Sequence, residues 1–184
     1  MTARIQVRRD SSSNWTTVNP TLTAGEFGFE TDTGAVKIGD GSTPWTSLSY
    51  TSYPTWTTYT ITLAQGTATD IAKTATYVKY LRTGKTVTVQ AQVSATDAGD
   101  DTNAITLGLP FTAATSGIVV GSGYYNDGGT QYQAIAYLYS TTKVALLSTH
   151  GTASTNTDDP IGVNPNIAVA SGDIISVQFT YEAA

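Results

Sequence analysis

Apolar and polar residues alternate with a period of two over much of this chain, and no stretch holds the 3.6-residue period of a helix over three turns. Ile5 and Val7 alternate with Arg4, Gln6 and Arg8, the pattern of a half-buried strand. Ser11-Ser12-Ser13-Asn14 reads as a turn and Trp15 to Val18 as the strand returning from it, broken by Asn19-Pro20. Phe27 and Phe29 share one face of the next short strand, while Glu26, Gly28 and Glu30 share the other. Asp32-Thr33-Gly34 is a hairpin-type turn. Val36 and Ile38 resume the alternation, Gly39-Asp40-Gly41 ends it, and Trp45 and Leu48 close the section.

Ser49 to Thr57 looks like a joint, with Pro54 among Ser, Thr and Tyr. Longer strands follow: Tyr59 to Leu63, Tyr77 to Leu81, and Val87 to Val93 with Val87, Val89, Ala91 and Val93 on one face. Ile105 to Leu109 stops at Pro110, and Gly117 to Tyr125 is separated from Gln131 to Tyr139 by Asn126-Asp127-Gly128-Gly129. Lys143 to Ser148 and a closing strand from Ile174 to Tyr181 complete the set. About eight short strands punctuated by turn residues predict a β-sandwich or jelly roll. The expected organisation is therefore all-β: a small module over 1–50, a linker over 51–57 and a jelly-roll-like domain over 58–184.

Composition narrows the chemistry. Only 12% of the 184 residues are charged, about half the usual share. Cysteine is absent, which excludes disulfides, thiolate zinc sites and thiol nucleophiles. A formal charge of −5 argues against nucleic acid as a partner. No run reaches the length of a membrane helix, and Met1-Thr2-Ala3-Arg4 leads into polar residues, so the expectation is a chain made soluble in a cytoplasm without membrane insertion. The first fifty or so residues are too few to build much of a core, and a module of that size without a disulfide or metal relies on association. Trp15, Phe27, Phe29 and Trp45 are therefore candidates for packing between chains as well as within one.

Catalysis is poorly served. His150 is the only imidazole and lies in a strand end or loop, and no serine sits in a nucleophile-elbow setting. Glu26 and Glu30 on one strand face would hold their Cα atoms roughly 13 Å apart. A glycosidase pair needs about 5–9.5 Å between carboxyl groups, so these read as solvent-facing edge charges. Asp97-Ala98-Gly99-Asp100-Asp101 and Asp158-Asp159 could offer oxygen ligands to a hard cation, but they lack the spacing of a calcium loop, and solvated turns are the default reading. Gly121-Ser122-Gly123 lacks a dinucleotide fingerprint. No catalytic, metal or cofactor residues are assigned. Tyr124, Tyr125 and Tyr132, in a tyrosine-rich stretch reaching Tyr139, are candidates for outer-surface contact with carbohydrate or protein.

One ordered set of motifs carries a family resemblance. It comprises Gly25-Glu26, Asp32-Thr33-Gly34, Lys37-Ile38-Gly39-Asp40-Gly41 and Trp45, within residues 4–50. This segment resembles the N-terminal domain of the phage major tropism determinant, and a module of many phage fibre and decoration proteins. The resemblance implies an intertwined trimeric β module at the virion-proximal end of an appendage. It also implies that Arg8, Trp15, Gly25, Glu26, Gly39, Asp40, Gly41 and Trp45 shape that module, the glycines through turn conformations and Asp40 through an Asx-type bond. The C-terminal part is similar in general character to trimeric phage jelly-roll heads, which Ser171 to Tyr181 would close.

The expectation is thus a non-enzymatic homotrimer on the virion surface, assembled in the host cytoplasm. As a capsid decoration or head-fibre protein it would bind the major capsid protein through the N-terminal module, stabilise the shell and project the second domain outward, in reach of a host surface glycan. As a tail-fibre or baseplate protein it would bind a tail component and recognise host glycan or protein. A glycan-degrading enzyme ranks last.

Overall fold

The computed structural model describes residues 6–51, 54–99, 103–148 and 159–184. The start of the first predicted strand at Arg4 and Ile5, part of the predicted linker, His150, Asp100-Asp101 and Asp158 lie outside the described residues. Two units separate along the chain, Met1–Pro54 and Thr55–Ala184.

In the first unit, β1 (Arg8–Asp10) pairs in parallel with β2 (Phe27–Glu30), which pairs antiparallel with β3 (Val36–Ile38). The predicted returning strand at Trp15–Val18 is instead helical: α1 spans Ser12–Val18. Of the residues that read as a turn, Ser11 is its N-cap and Ser12, Ser13 and Asn14 open the helix, while Asn19, read as a break, is its C-cap. Ser11 Oγ accepts from the Asn14 N–H, and Asn19 adopts the left-handed conformation at φ 44°, its N–H donating to Trp15 O. Thr16 and Thr17 donate their hydroxyls to Ser12 O and Ser13 O within the same helix. Seven residues are too short to show a helical period, so packing decides. The apolar contact that holds α1 is its one buried residue, Trp15, whose ring stacks on Trp45 with centroids 4.1 Å apart and whose Nε1 donates to Phe29 O. With Leu22 they form a core of three large side chains.

In the second unit the described strands form one nine-stranded sheet. They are β4 (Thr57–Thr58), β5 (Leu63–Ala64), β6 (Lys73–Thr83), β7 (Thr86–Ala95), β8 (Thr106–Gly108), β9 (Val119–Asp127), β10 (Thr130–Ser140), β11 (Lys143–Ser148) and β12 (Ile174–Glu182). The order is β4-β6-β7-β12-β9-β10-β11-β8-β5, every neighbour antiparallel. Laid flat, nine strands put their edges about 38 Å apart. Yet residues 59–62 alone join β4 to β5, a reach of about 18 Å. The sheet therefore curls. Tyr59 N–H bonds back to Val78 O on β6, and Gly108 N–H on β8 bonds to Thr62 O, stitching the two ends together.

The strands expected for a jelly roll are present, but they join in this single curled sheet, and the stretch predicted as one strand from Tyr59 to Leu63 is its bent crossing. The concave face holds Val87, Val89, Ala91 and Val93 with Ile175, Val177, Phe179 and Tyr181, all nearly inaccessible. Buried Gln65 ties a loop to the barrel-like interior, donating to Asn103 O and Ile167 O and accepting from Val169 N–H.

Candidate functional site

The three-stranded sheet of the first unit is turned against expectation. Gly28, Glu30 and Lys37 face the core, whereas Phe27 and Ile38 are 49% and 36% exposed and Phe29 and Val36 only half buried. The cause is steric. Trp45 occupies the space over Gly28, where a Cβ would overlap its ring, so the glycine-bearing side of β2 must face inward.

Inward-facing charge then needs partners. Lys37 Nζ donates to Trp45 O at 2.7 Å and lies over the Trp45 and Tyr50 rings at 4.9 and 4.2 Å. Burial pushes its ammonium below the usual lysine range, and the charge of Glu30 opposes that shift. Glu30 accepts from Tyr50 Oη at 2.7 Å and from the Thr33 hydroxyl. That bond raises the Tyr50 phenol to about 12. Glu30 is thus not the solvent-facing edge charge expected. Glu26 is half buried, 3.6 Å from Arg8, and its carboxyl is held low mainly by the Thr23 N–H.

Arg8 also sits 5.1 Å over Trp15, so Arg8, Trp15 and Trp45 form one layered stack. The turn residues meet in a second layer. Gly25 N–H donates to Gly39 O, Gly39 N–H to Glu26 O, and Gly41 N–H to Leu22 O. Gly25 and Gly41 have φ of 82° and 83°, a region that favours glycine. Asp40 Oδ1 accepts from Ser42 and Thr43 N–H at 2.9 and 2.7 Å, an Asx-type turn that holds its carboxyl well below the usual range, with the Thr43 hydroxyl as the largest cause.

What the inversion leaves outside is a mainly apolar face, with the exposed Arg9 of β1 beside Phe29 on it. Phe27 stands directly across from Ile38 and Phe29 from Val36, and Val7, 46% exposed, precedes β1.

The second unit offers a different surface. On its convex side, β7 presents Thr88, Gln90 and Gln92, and β12 presents Ser176, Gln178 and Thr180. Gln90 Nε2 donates to Gln178 Oε1, Gln92 Nε2 donates to Tyr124 Oη at 2.8 Å, and Thr88 and Thr180 share a hydrogen bond of 3.0 Å. Of the three predicted contact tyrosines only Tyr124 belongs to this side. Tyr125 is fully buried, its hydroxyl donating to Asp173, and Tyr132 packs against the core. The period of two explains it: Tyr125 shares its strand face with Gly123 and Gly121, the side that meets Leu146 and Phe179. The glutamines were missed because they occupy polar positions of the alternation. The available signal was that those positions are neutral rather than charged.

Among the described residues, no group of three His, Asp or Glu side chains comes together to hold a metal. No helix among them is long and apolar enough to cross a membrane.

Residues 5–43 match the family described as the major tropism determinant N-terminal domain. The chain is also similar to a hyaluronoglucosaminidase of Streptococcus pyogenes phage H4489A, 43% identical over 51 residues, which is 28% of this chain and 14% of that protein. No solved structure gives a significant match. The resemblance read from the motifs is thus found independently: the N-terminal part is like that of a major tropism determinant, and the hyaluronoglucosaminidase similar to the chain comes from a phage.

Proposed function

We propose that this chain is a virion component of the tail or receptor-binding type, assembled from three copies through its N-terminal unit, with the second unit offered to the host surface. The observation that carries the reading is the turned sheet. A unit of about fifty residues, with three large buried side chains, leaves Phe27, Phe29, Val36 and Ile38 on its outer face. Such a unit gains its missing core when a second copy covers that face. A homotrimer agrees with the tropism-determinant resemblance, and three weak contacts gain affinity through effective concentration.

The receptor-binding reading stands ahead of capsid decoration because a tropism-determinant domain is what the N-terminal segment matches. The chain spans only 14% of the phage hyaluronoglucosaminidase, so that activity is not carried over, and the role proposed here is binding without catalysis. Gold-labelled antibody against the second unit, applied to purified particles of the phage that encodes it, tests the placement. Label at the tail tip, with blocked adsorption to host cells, is the expected result. Label over the shell would favour decoration, and unlabelled particles would refute both.

A further inference from the structure

The middle of the convex face in the second unit is organised in two registered rows. One runs Tyr77, Gln92, Ser176, Tyr124 and Gln133 across β6, β7, β12, β9 and β10. The next runs Lys79, Gln90, Gln178, Ser122 and Ile135 across the same five strands. Four inter-strand steps make each row about 19 Å long, and two residues along a strand separate the rows by about 7 Å. Small residues lie within the rows, Ser176 on β12 in one and Ser122 on β9 in the other, with Tyr and Gln side chains around them. The result is a groove of about 340 Å³.

Every residue lining that groove is uncharged. Carboxamides supply donors and acceptors in fixed directions, and the Gln90–Gln178 and Gln92–Tyr124 hydrogen bonds hold Gln90, Gln178 and Tyr124 of the lining in place. A single such bond leaves each carboxamide with further capacity, since it carries two donors and an acceptor with two lone pairs. At the β6 end, Tyr77 and Trp56 are 41% and 42% exposed, and Lys79 lies 4.8 Å from the Trp56 ring and 6.0 Å from that of Tyr77. Exposed rings bordering a strip of amides and hydroxyls fit one ligand chemistry well, a chain of hydroxyl-rich rings with alternating apolar and polar faces. A protein partner would want a larger apolar centre than this groove offers. An anionic partner would want cationic walls, whereas Lys79, at the β6 end of its row, lies against the Trp56 and Tyr77 rings and does not line the groove.

We propose that this groove binds a neutral oligosaccharide, with Tyr77 and Tyr124 as stacking or hydroxyl contacts, Gln90 and Gln178 as the amides that read its hydroxyls, and Gln92 positioning the Tyr124 hydroxyl. The proposal rests on the receptor-binding reading and supplies the class of receptor.

The test uses the full chain against an immobilised panel of neutral and acidic oligosaccharides, alongside Gln178→Ala and Tyr124→Ala, both on the convex face. Circular dichroism checks that each variant keeps its fold, and Gln90→Ala replaces any that does not. At least one neutral oligosaccharide should bind, each variant should weaken it about tenfold, and raised salt should change little. Three results would overturn the proposal: no saccharide bound, binding indifferent to the substitutions, or binding confined to acidic saccharides and lost in salt. Capture of a sugar-free host protein through this groove would do so as well. The particle labelling decides the parent reading separately: label at the tail with no saccharide bound removes only the groove assignment, and saccharide binding by a chain missing from particles removes only the placement.

Discussion

Trp45 carries more of the first unit than any other residue described. It stacks on Trp15, fills the space over Gly28, receives Lys37 on its ring and carbonyl, and its N–H donates to Pro20 O. Replacing a buried tryptophan by alanine costs about 3–5 kcal/mol, comparable to the whole stability of a unit this small. Trp45→Ala should therefore abolish protection of β1–β3 in hydrogen exchange while β7 and β12 stay protected. Equal protection in both proteins would show that the stack is dispensable.

Glu30 gives a graded case. Glu30→Ala removes the acceptor for both Tyr50 and Thr33 and should destabilise the unit by about 3 kcal/mol, whereas Glu30→Gln keeps an acceptor and should cost much less. Tyr50 is raised from 10.0 to about 12, so the stability it contributes is complete below pH 10 and lost as pH rises through about 12. Thermal melts across that range should show an alkaline decline that Glu30→Ala diminishes. The burial of Glu30 and Lys37 was not legible in the sequence. Alternation shows that Phe27 and Phe29 face one way and Glu30 the other, but which way is inward depends on a distant tryptophan meeting a glycine.

Among the elements, the short loops of the first unit are tied by carboxylates. Glu26 bonds the Thr23 N–H, Asp32 bonds the Ser12 N–H and hydroxyl at the start of α1, and Asp40 closes its own turn. All three are held below their usual values. A carboxylate with a depressed folded pKa contributes stability that is present above its unfolded value near pH 4 and lost as pH falls through the folded one. The first unit should therefore weaken on acidification below about pH 4, and Asp40→Asn should flatten that decline. Fluorescence of Trp15 and Trp45 reports it, and a melt independent of pH in this range would contradict the assignment.

Element type was legible where burial is one-sided and long, as in Val87 to Val93, whose alternate residues fill the concave face. It failed for α1, where the Ser and Asn that cap a helix are the same residues that make turns, and where one buried tryptophan replaces a periodic stripe.

For the whole molecule, the curl of the second unit's sheet was beyond local pattern. Strand order depends on pairings such as β9 with β12, some fifty residues apart, and on the bent crossing between β4 and β5. The polar convex face follows from that order, because only registration across five strands turns scattered Gln, Ser and Tyr residues into a groove. The same holds for the apolar face of the first unit: Phe27 and Phe29 were visible as candidates for packing between chains but Val36 and Ile38 were not, while Trp15 and Trp45, named with them, are buried inside the unit.

Assembly through that face is tested most directly by the mass of the full chain in solution. Light scattering should give three times the 19.3 kDa of one chain, and Phe27→Asp combined with Ile38→Asp should reduce it to one. A stable single chain at concentrations well above those on a particle would contradict assembly through this face, as would a trimer that both aspartates leave intact.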